Sequence, residues 1–225
     1  MAREMGEWLQ ALLPGIEPAG WGANDSCWFA FMMTRESEHN PPFYWLGRAL
    51  DEVEVGGAIE VLGARLVAAH GARTCAGRGD ADERGQDVLT EACAYAWAAT
   101  RLGAATFEVV GEVEYSPVRI SVPLSETQHG VYVLPRRLWP VNSLQRVMTS
   151  IGEQTAAAAS LLPEGAQGIV YLDCWHQQQY AQNLGYRLEL TEPLQHGLRH
   201  FAADHGLGHV LTRPFQWGNP VEATY

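Results

Sequence analysis

Apolar residues in the first third of the chain recur with the spacing of an α-helix. The first such stretch consists of Trp8, Leu9, Leu12 and Leu13. It ends at Pro14-Gly15, and a longer helical stripe begins near Phe43. The stripe has a weak point at Gly56-Gly57, because glycine lowers helix stability. Its apolar positions are Leu46, Ala49, Leu50, Val53, Ile59, Leu62, Leu66 and Val67.

Residues 1–42 are predicted to form an N-terminal arm. Within it, the apolar run Cys27–Met33 is either a buried strand or a segment docked on a partner, and Asn40-Pro41-Pro42 ends it. We expect this run to be buried against the rest of the chain or against another subunit, because an exposed apolar patch of that size reduces solubility.

Residues 71–86 are polar and glycine-rich, which predicts a flexible loop. A helix is predicted from Asp87 to about Leu102, with the Asp87 carboxylate close to the unpaired amides of the first turn. Gly103 is the expected C-terminal stop.

The middle of the chain changes to short β-branched or alternating segments separated by turn residues. Three strands in antiparallel hairpins are predicted, then a helix opened by Pro140–Ser143, then a buried strand. The predicted bounds are Thr106–Val113, Val118–Val122 and Val131–Leu134 for the hairpin strands, about Leu162 for the helix end, and Gly168–Asp173 for the buried strand. The order helix, three strands, helix, strand predicts an α/β (α+β) fold with a mixed sheet flanked by helices.

The last part of the chain is predicted to contain a helix over Gln177–Leu184, a strand over Tyr186–Leu190 and a His-rich helix over Pro193–His205. We therefore divide the chain into the arm, an α/β core domain over residues 43–192, and a C-terminal helix and tail over residues 193–225.

Charge limits the classes of partner. The formal net charge is −11, which excludes a generic basic nucleic-acid binder and a protein that binds anionic membranes. Any contact with nucleic acid must come from a local patch. The apolar runs are shorter than the ~20 residues that span a bilayer. We expect a protein partner or a homo-oligomer, and no membrane.

All 15 basic residues are arginines. Without lysine, Schiff-base chemistry, a lysine general base and a Walker-type lysine are excluded, since arginine is not deprotonated in proteins. The four cysteines are widely spaced, and the N-terminus has no apolar signal sequence. We therefore expect a cytoplasmic location.

The order of elements over residues 87–174 resembles the common core of the PD-(D/E)XK nuclease-like superfamily. This resemblance implies a restriction-endonuclease-like fold with two metal-binding acids and a lysine on adjacent strands. The second strand should start with Pro-Asp, where this chain has Pro117-Val118, and the third should end in acid-x-Lys, where it has Leu134-Pro135-Arg136. Glu91 stands at the position of the family's helix glutamate, and Gln154 at a position that is often polar.

Val118 and Leu134 supply no metal ligand, and Arg136 cannot accept a proton. The resemblance thus implies a catalytically degenerate site without a cofactor. The function we expect is binding or assembly in a bacterial nucleic-acid-handling or antiviral defence complex.

Arg119, Arg136 and Arg137 form a local basic patch, with Arg146 further along the chain. The patch could bind phosphates, an acidic face of a partner, or acids of this chain; for Arg136 the candidates are a phosphate and Glu91. The candidate binding residues are Glu91, Arg119, Arg136, Arg137 and Gln154.

His196 and His200 are four residues apart on a predicted helix, a spacing that suits a metal ion such as zinc. They give the alternative of a metal-dependent hydrolase that uses the C-terminal histidines. A third possibility is a plain protein-interaction subunit whose Trp-rich arm docks on a partner.

Overall fold

The computed structural model describes residues 5–13, 41–71, 78–111, 116–123, 130–138, 143–174 and 192–211. These residues form a mixed α/β structure, and the predicted order of helix, three strands, helix and strand is confirmed. The elements are α1 (Met5–Leu12), α2 (Pro41–Val55), α3 (Ile59–Gly71), α4 (Arg78–Arg101), β1 (Thr106–Val109), β2 (Val118–Val122), β3 (Val131–Arg137), α5 (Leu144–Ala159), β4 (Gln167–Asp173), α6 (Glu192–His205) and β5 (Leu207–Leu211).

The chain divides into two compact units, Met1–Pro117 and Val118–Tyr225. The first contains α1 to α4 and β1, and the second contains α5, α6 and β2 to β5. The boundary lies within the residues 43–192 that we assigned to the core domain.

Helix α4 is the central element of the first unit, and both α2 and α3 pack against it. Helix α1 contacts α2 and α3. Most of the apolar stripe read from the sequence is buried, because each helix turns its apolar face towards the others, but the prediction is wrong for Val67, which is 43% exposed. The buried apolar side chains of this unit include Trp8, Leu12, Leu50, Val53, Leu62, Leu66 and Tyr95.

The weak point in the long helical stripe is a corner between α2 and α3. Gly57 has a positive φ of 73°, a conformation that suits glycine. The Tyr95 hydroxyl donates to Ala105 O at 2.9 Å and approaches Gly56 O at 3.3 Å. A β-carbon at Gly56 would collide with this hydroxyl. Burial raises the pKa of Tyr95 above its ordinary value, so the phenol keeps the proton that it donates.

The predicted flexible loop is wrong for residues 78–86, because α4 begins at Arg78 rather than at Asp87. Glycine costs about 1 kcal/mol in a helix interior, but tertiary packing overrides such a preference, and Gly85 is buried. The predicted end is confirmed. Leu102 N and Gly103 N both donate to Ala98 O, at 2.8 and 3.2 Å, and Gly103 has a φ of 121°.

The sheet of the second unit has the strand order β2-β3-β4-β5. Strands β2 and β3 are antiparallel, with Ile120 opposite Val133, as the hairpin pattern predicted. Strand β3 is parallel to β4, and β4 is parallel to β5. Pairing with β4 extends β3 past the predicted Leu134 to Arg137, which lies opposite Asp173.

Helices α5 and α6 cover one face of this sheet. Helix α5 begins after Ser143, whose hydroxyl accepts from Arg146 N at 3.3 Å, as an N-cap does. The shared core consists of Leu134, Leu138, Val147, Ile151, Ala158, Val170, Leu172, Cys174, Leu194, Leu198 and Leu207.

Strand β5 was not anticipated from the sequence, and it carries a buried histidine. His209 Nε2 lies 2.9 Å from Thr155 Oγ1, and that hydroxyl donates its proton to Ile151 O at 2.8 Å. The hydroxyl then accepts from a protonated Nε2. The buried Nδ1 has no hydrogen-bond partner among the described residues, so a second proton there would be unsatisfied and the neutral form with the proton on Nε2 is favoured. Burial, and secondarily the charge of His205, lower the pKa of His209 to about 4.

Three sequence predictions lie outside the described residues. They are the apolar run Cys27–Met33, the helix over Gln177–Leu184 and the strand over Tyr186–Leu190. In the part of the chain that is described, every helix is too short or too polar to cross a membrane.

We predict that His209 makes the free energy of unfolding fall as the pH is lowered from about 6.5 to 4. In this window the unfolded chain binds a proton at residue 209 and the folded chain does not. The loss should reach roughly 3 kcal/mol by pH 4. Urea denaturation of wild type and His209→Leu at pH 7, 5.5 and 4 measures this loss. In the variant, the free energy of unfolding should depend less steeply on pH.

The exposed His196→Gln variant is the control and should keep the wild-type slope. An identical pH dependence in His209→Leu and wild type would contradict the assignment of a neutral buried imidazole.

Candidate functional site

Glu91 on α4, one of the candidate binding residues, makes a buried ion pair with Arg65 of α3. Arg65 Nε donates to Oε2 and Arg65 Nη2 donates to Oε1, both at 2.7 Å. The two side chains are 6% and 9% exposed. Two parallel bonds between guanidinium and carboxylate are the strongest geometry that such a pair adopts.

The sequence also contains a signal from which this partner could have been predicted. Arg65 lies within the apolar stripe of α3, next to Leu66 and one turn from Leu62 and Ala69, all of which are buried. A guanidinium on a buried stripe needs an acidic or carbonyl acceptor, because it cannot lose its charge. An acid on a neighbouring helix is therefore expected, and Glu91 fills this role.

The two strand positions that the resemblance assigns to metal-binding acids are filled by core side chains. Val118 is 1% exposed and Leu134 is 0% exposed. The β2–β3 register places Val118 opposite Pro135 and Arg119 opposite Leu134, so Val118 and Leu134 point to opposite faces of the sheet. The residues of β3 on the face of Val118 are Val131, Val133, Pro135 and Arg137.

Arg119 and Arg136 point to the other face, towards the C-terminal end of α5. Arg119 Nη1 donates to Leu161 O at 3.1 Å, and Arg136 Nη2 donates to Ala157 O at 3.4 Å. Arg136 Nη1 also donates to Pro135 O at 2.8 Å. The Arg119 guanidinium stacks over Tyr132, 4.9 Å from the ring centroid.

These contacts suit the end of a helix. The last carbonyls of a helix lack partners within it and carry partial negative charge. Helix α5 has no basic residue in its own last turn. Arg119 and Arg136 supply the missing cations from the adjacent strands, a role that the sequence pattern did not predict.

Arg137 is buried on the opposite face of β3, with 4% of its surface exposed. Its neighbour in register on β4 is the half-buried Asp173, and Leu138 N donates to Asp173 O at 2.9 Å. Both residues stand at the carboxyl ends of parallel strands, where ligand sites of α/β proteins are often found.

The candidate binding residues are therefore divided between the two units. Glu91 belongs to the first unit, and Arg119, Arg136 and Arg137 belong to the second. Gln154 is also in the second unit, half-buried on α5 beside the fully buried Thr155.

The predicted metal pair lies on the solvent-facing side of α6. His196 and His200 are both exposed, and His200 Nε2 is 3.4 Å from Asp204 Oδ2. Within the described ranges, no group of three or more His, Cys, Asp or Glu side chains could hold a metal ion.

Comparison of the chain with protein-family models, with curated proteins and with solved structures found no significant match.

We predict strong energetic coupling between Arg65 and Glu91. Glu91→Leu leaves the Arg65 charge without its counter-charge and should lower the free energy of unfolding by about 3–5 kcal/mol, and Arg65→Met should cost a similar amount. The double variant Arg65→Met/Glu91→Leu should be more stable than either single variant, because apolar side chains of similar size can replace a buried pair. Urea denaturation of all four proteins gives the coupling free energy.

Arg48→Met in the same unit is the control, because Arg48 is exposed. It should change stability by less than about 0.5 kcal/mol. Additive costs of the two single replacements would show that the pair does not act as a unit.

We also predict that Arg119→Ala and Arg136→Ala each lower the free energy of unfolding by about 1 kcal/mol, since each removes a cation from the end of α5. Arg146→Ala is the matched control: Arg146 is exposed in the first turn of the same helix, where a cation is unfavourable. Its removal should leave stability unchanged or slightly raised.

Oligonucleotide titrations at several salt concentrations separate this role from phosphate binding. Binding should be the same in Arg136→Ala and wild type. A weaker binding with a log–log salt slope reduced by about 0.7–0.9 would instead identify Arg136 as a phosphate contact.

Proposed function

We propose that this chain is a non-catalytic binding or assembly subunit built on a nuclease-like core. The proposal rests on the residues that occupy the positions which the resemblance assigns to the catalytic acids. Val118 and Leu134 are packed in the apolar interior, and the Glu91 carboxylate is engaged by Arg65.

Phosphodiester hydrolysis on such a scaffold needs acidic oxygens that hold a hard divalent cation and a group that orients or activates water. Pro135 and Arg137 of β3 share the face of Val118, and neither of them supplies a carboxylate. Arginine also cannot take the place of a lysine that gives and accepts a proton. These residues fit a core that has a structural role and no catalytic one.

A protein partner or a second copy of the chain fits the electrostatics better than nucleic acid does. The net charge of −11 repels a polyanion. Arg119 and Arg136, two of the three members of the predicted basic patch, direct hydrogen bonds to backbone carbonyls at the end of α5. Within this proposal the chain acts in the cytoplasm, as part of a bacterial nucleic-acid-handling or defence complex.

We predict that the purified chain does not cleave DNA or RNA in the presence of Mg²⁺ or Mn²⁺. Single- and double-stranded substrates should be tested with wild type and with Arg65→Met/Glu91→Leu, which lacks the acid but should keep the fold. The two proteins should show the same background. Metal-dependent cleavage by wild type that is lost in the double variant would overturn the proposal.

The assembly part of the proposal is tested by the mass of the full chain in solution, measured by light scattering after size-exclusion chromatography. The measurement is made on the chain alone and with the products of neighbouring genes. A dimer, a larger oligomer or a stable mixed complex is expected. A strictly monomeric chain in both conditions would contradict it.

A further inference from the structure

Helix α6 has two faces of different chemistry. Leu194 and Leu198 enter the core of the second unit and are at most 1% exposed. Glu192, His196, His200 and Asp204 follow one another at intervals of four residues and are exposed. This outer row contains two imidazoles and two carboxylates, and neither the core nor the proposed function uses it.

The four-residue spacing of His196 and His200 suits shared binding of one ion. Side chains four residues apart on a helix lie on the same face, with about 5–6 Å between their β-carbons. Neutral imidazole nitrogens are preferred ligands of zinc, copper and nickel ions, whereas magnesium prefers oxygen. Because the rings face solvent, an ion can reach them without a change in the fold.

Asp204 gives the pair an independent feature of metal sites. Its Oδ2 lies 3.4 Å from His200 Nε2, and the two side chains are 52% and 68% exposed. Metal-binding histidines commonly present one ring nitrogen to a carboxylate, which fixes the ring and its tautomer. With Nε2 directed to Asp204, the lone pair of Nδ1 is the one available to an ion.

We propose that His196 and His200 form an open site for a divalent transition-metal ion, and that Asp204 positions the His200 ring. Two protein ligands leave the other coordination positions to water, in keeping with the described residues, which contain no third ligand close enough to complete a group. The site is independent of the nuclease-like core, so it goes beyond the proposed function.

The test is calorimetric titration of the full-length chain with NiCl₂, with a phosphine reductant to keep the thiols reduced. Wild type should bind Ni²⁺ at a site whose affinity falls about tenfold or more in His196→Ala and in His200→Ala. With one imidazole removed, the ion no longer has a second ligand held close to the first at a high effective concentration. The double variant should lose the remaining weak single-imidazole binding as well. Independent histidines would instead give two equivalents of bound Ni²⁺ in wild type and one equivalent of unchanged affinity in each single variant, which would overturn the proposal.

Two controls sharpen the titration. His205→Ala removes an exposed histidine of the same helix that lies outside the row, and it should bind Ni²⁺ as wild type does. Asp204→Asn should weaken binding less than either histidine replacement does. Far-UV circular dichroism checks the fold, which these exposed replacements should leave unchanged.

The order of affinities is the second readout. Cu²⁺ should bind more tightly than Ni²⁺ or Zn²⁺, and Mg²⁺ should give no heat that depends on His196. Equal Ni²⁺ binding by wild type and the double variant would also overturn the proposal. Neither result bears on nucleic-acid cleavage, so this site and the proposed function can fail separately.

Discussion

An arginine guanidinium cannot lose its proton, so each arginine that leaves water in this protein needs an acceptor for its hydrogen bonds. Every basic residue in the chain is arginine, so each one that enters the interior brings a permanent charge. Arg65 meets the two oxygens of Glu91, and this contact joins α3 to α4. Arg119 and Arg136 meet the carbonyls that end α5. In both units, buried or half-buried arginines connect one secondary-structure element to another.

Local patterns in the sequence were sufficient for most elements, because those patterns have local physical causes. Ser143 caps a helix, and Gly103 ends one in a conformation that disfavours other residues. The failures involve long-range packing. Residues 78–86 contain two glycines and their composition predicts a loop, although they continue a helix. Strand β5 is short, and its only described pairing is with β4, which precedes it by more than thirty residues.

In the candidate site, too, the sequence indicated which residues matter but not the distant residues that they contact. Sequence patterns pointed to Glu91 and the arginines, and the place of Arg65 on an apolar stripe calls for an acid. Nothing local identifies Glu91 as that acid, or the α5 carbonyls as the acceptors of Arg119 and Arg136, since these partners are far apart along the chain. They also could not fix the faces of the strands. The β2–β3 register decides that Val118 shares its face with Pro135 and Arg137 rather than with Leu134. A shift of one residue exchanges the faces, so an alignment by element order alone is ambiguous at this level.

The parallel pairing of β4 with both β3 and β5 has a consequence for how the second unit folds. Strands β2 and β3 are antiparallel neighbours in sequence, so they can pair as soon as a short loop closes. Strand β4 can join β3 only after the chain has crossed over through α5, and β5 can join β4 only after the crossover that contains α6. Closing longer loops costs more chain entropy before any contact forms. On this entropy argument we expect the sheet to grow outward from its hairpin, with the strand that brings His209 beside Thr155 added last.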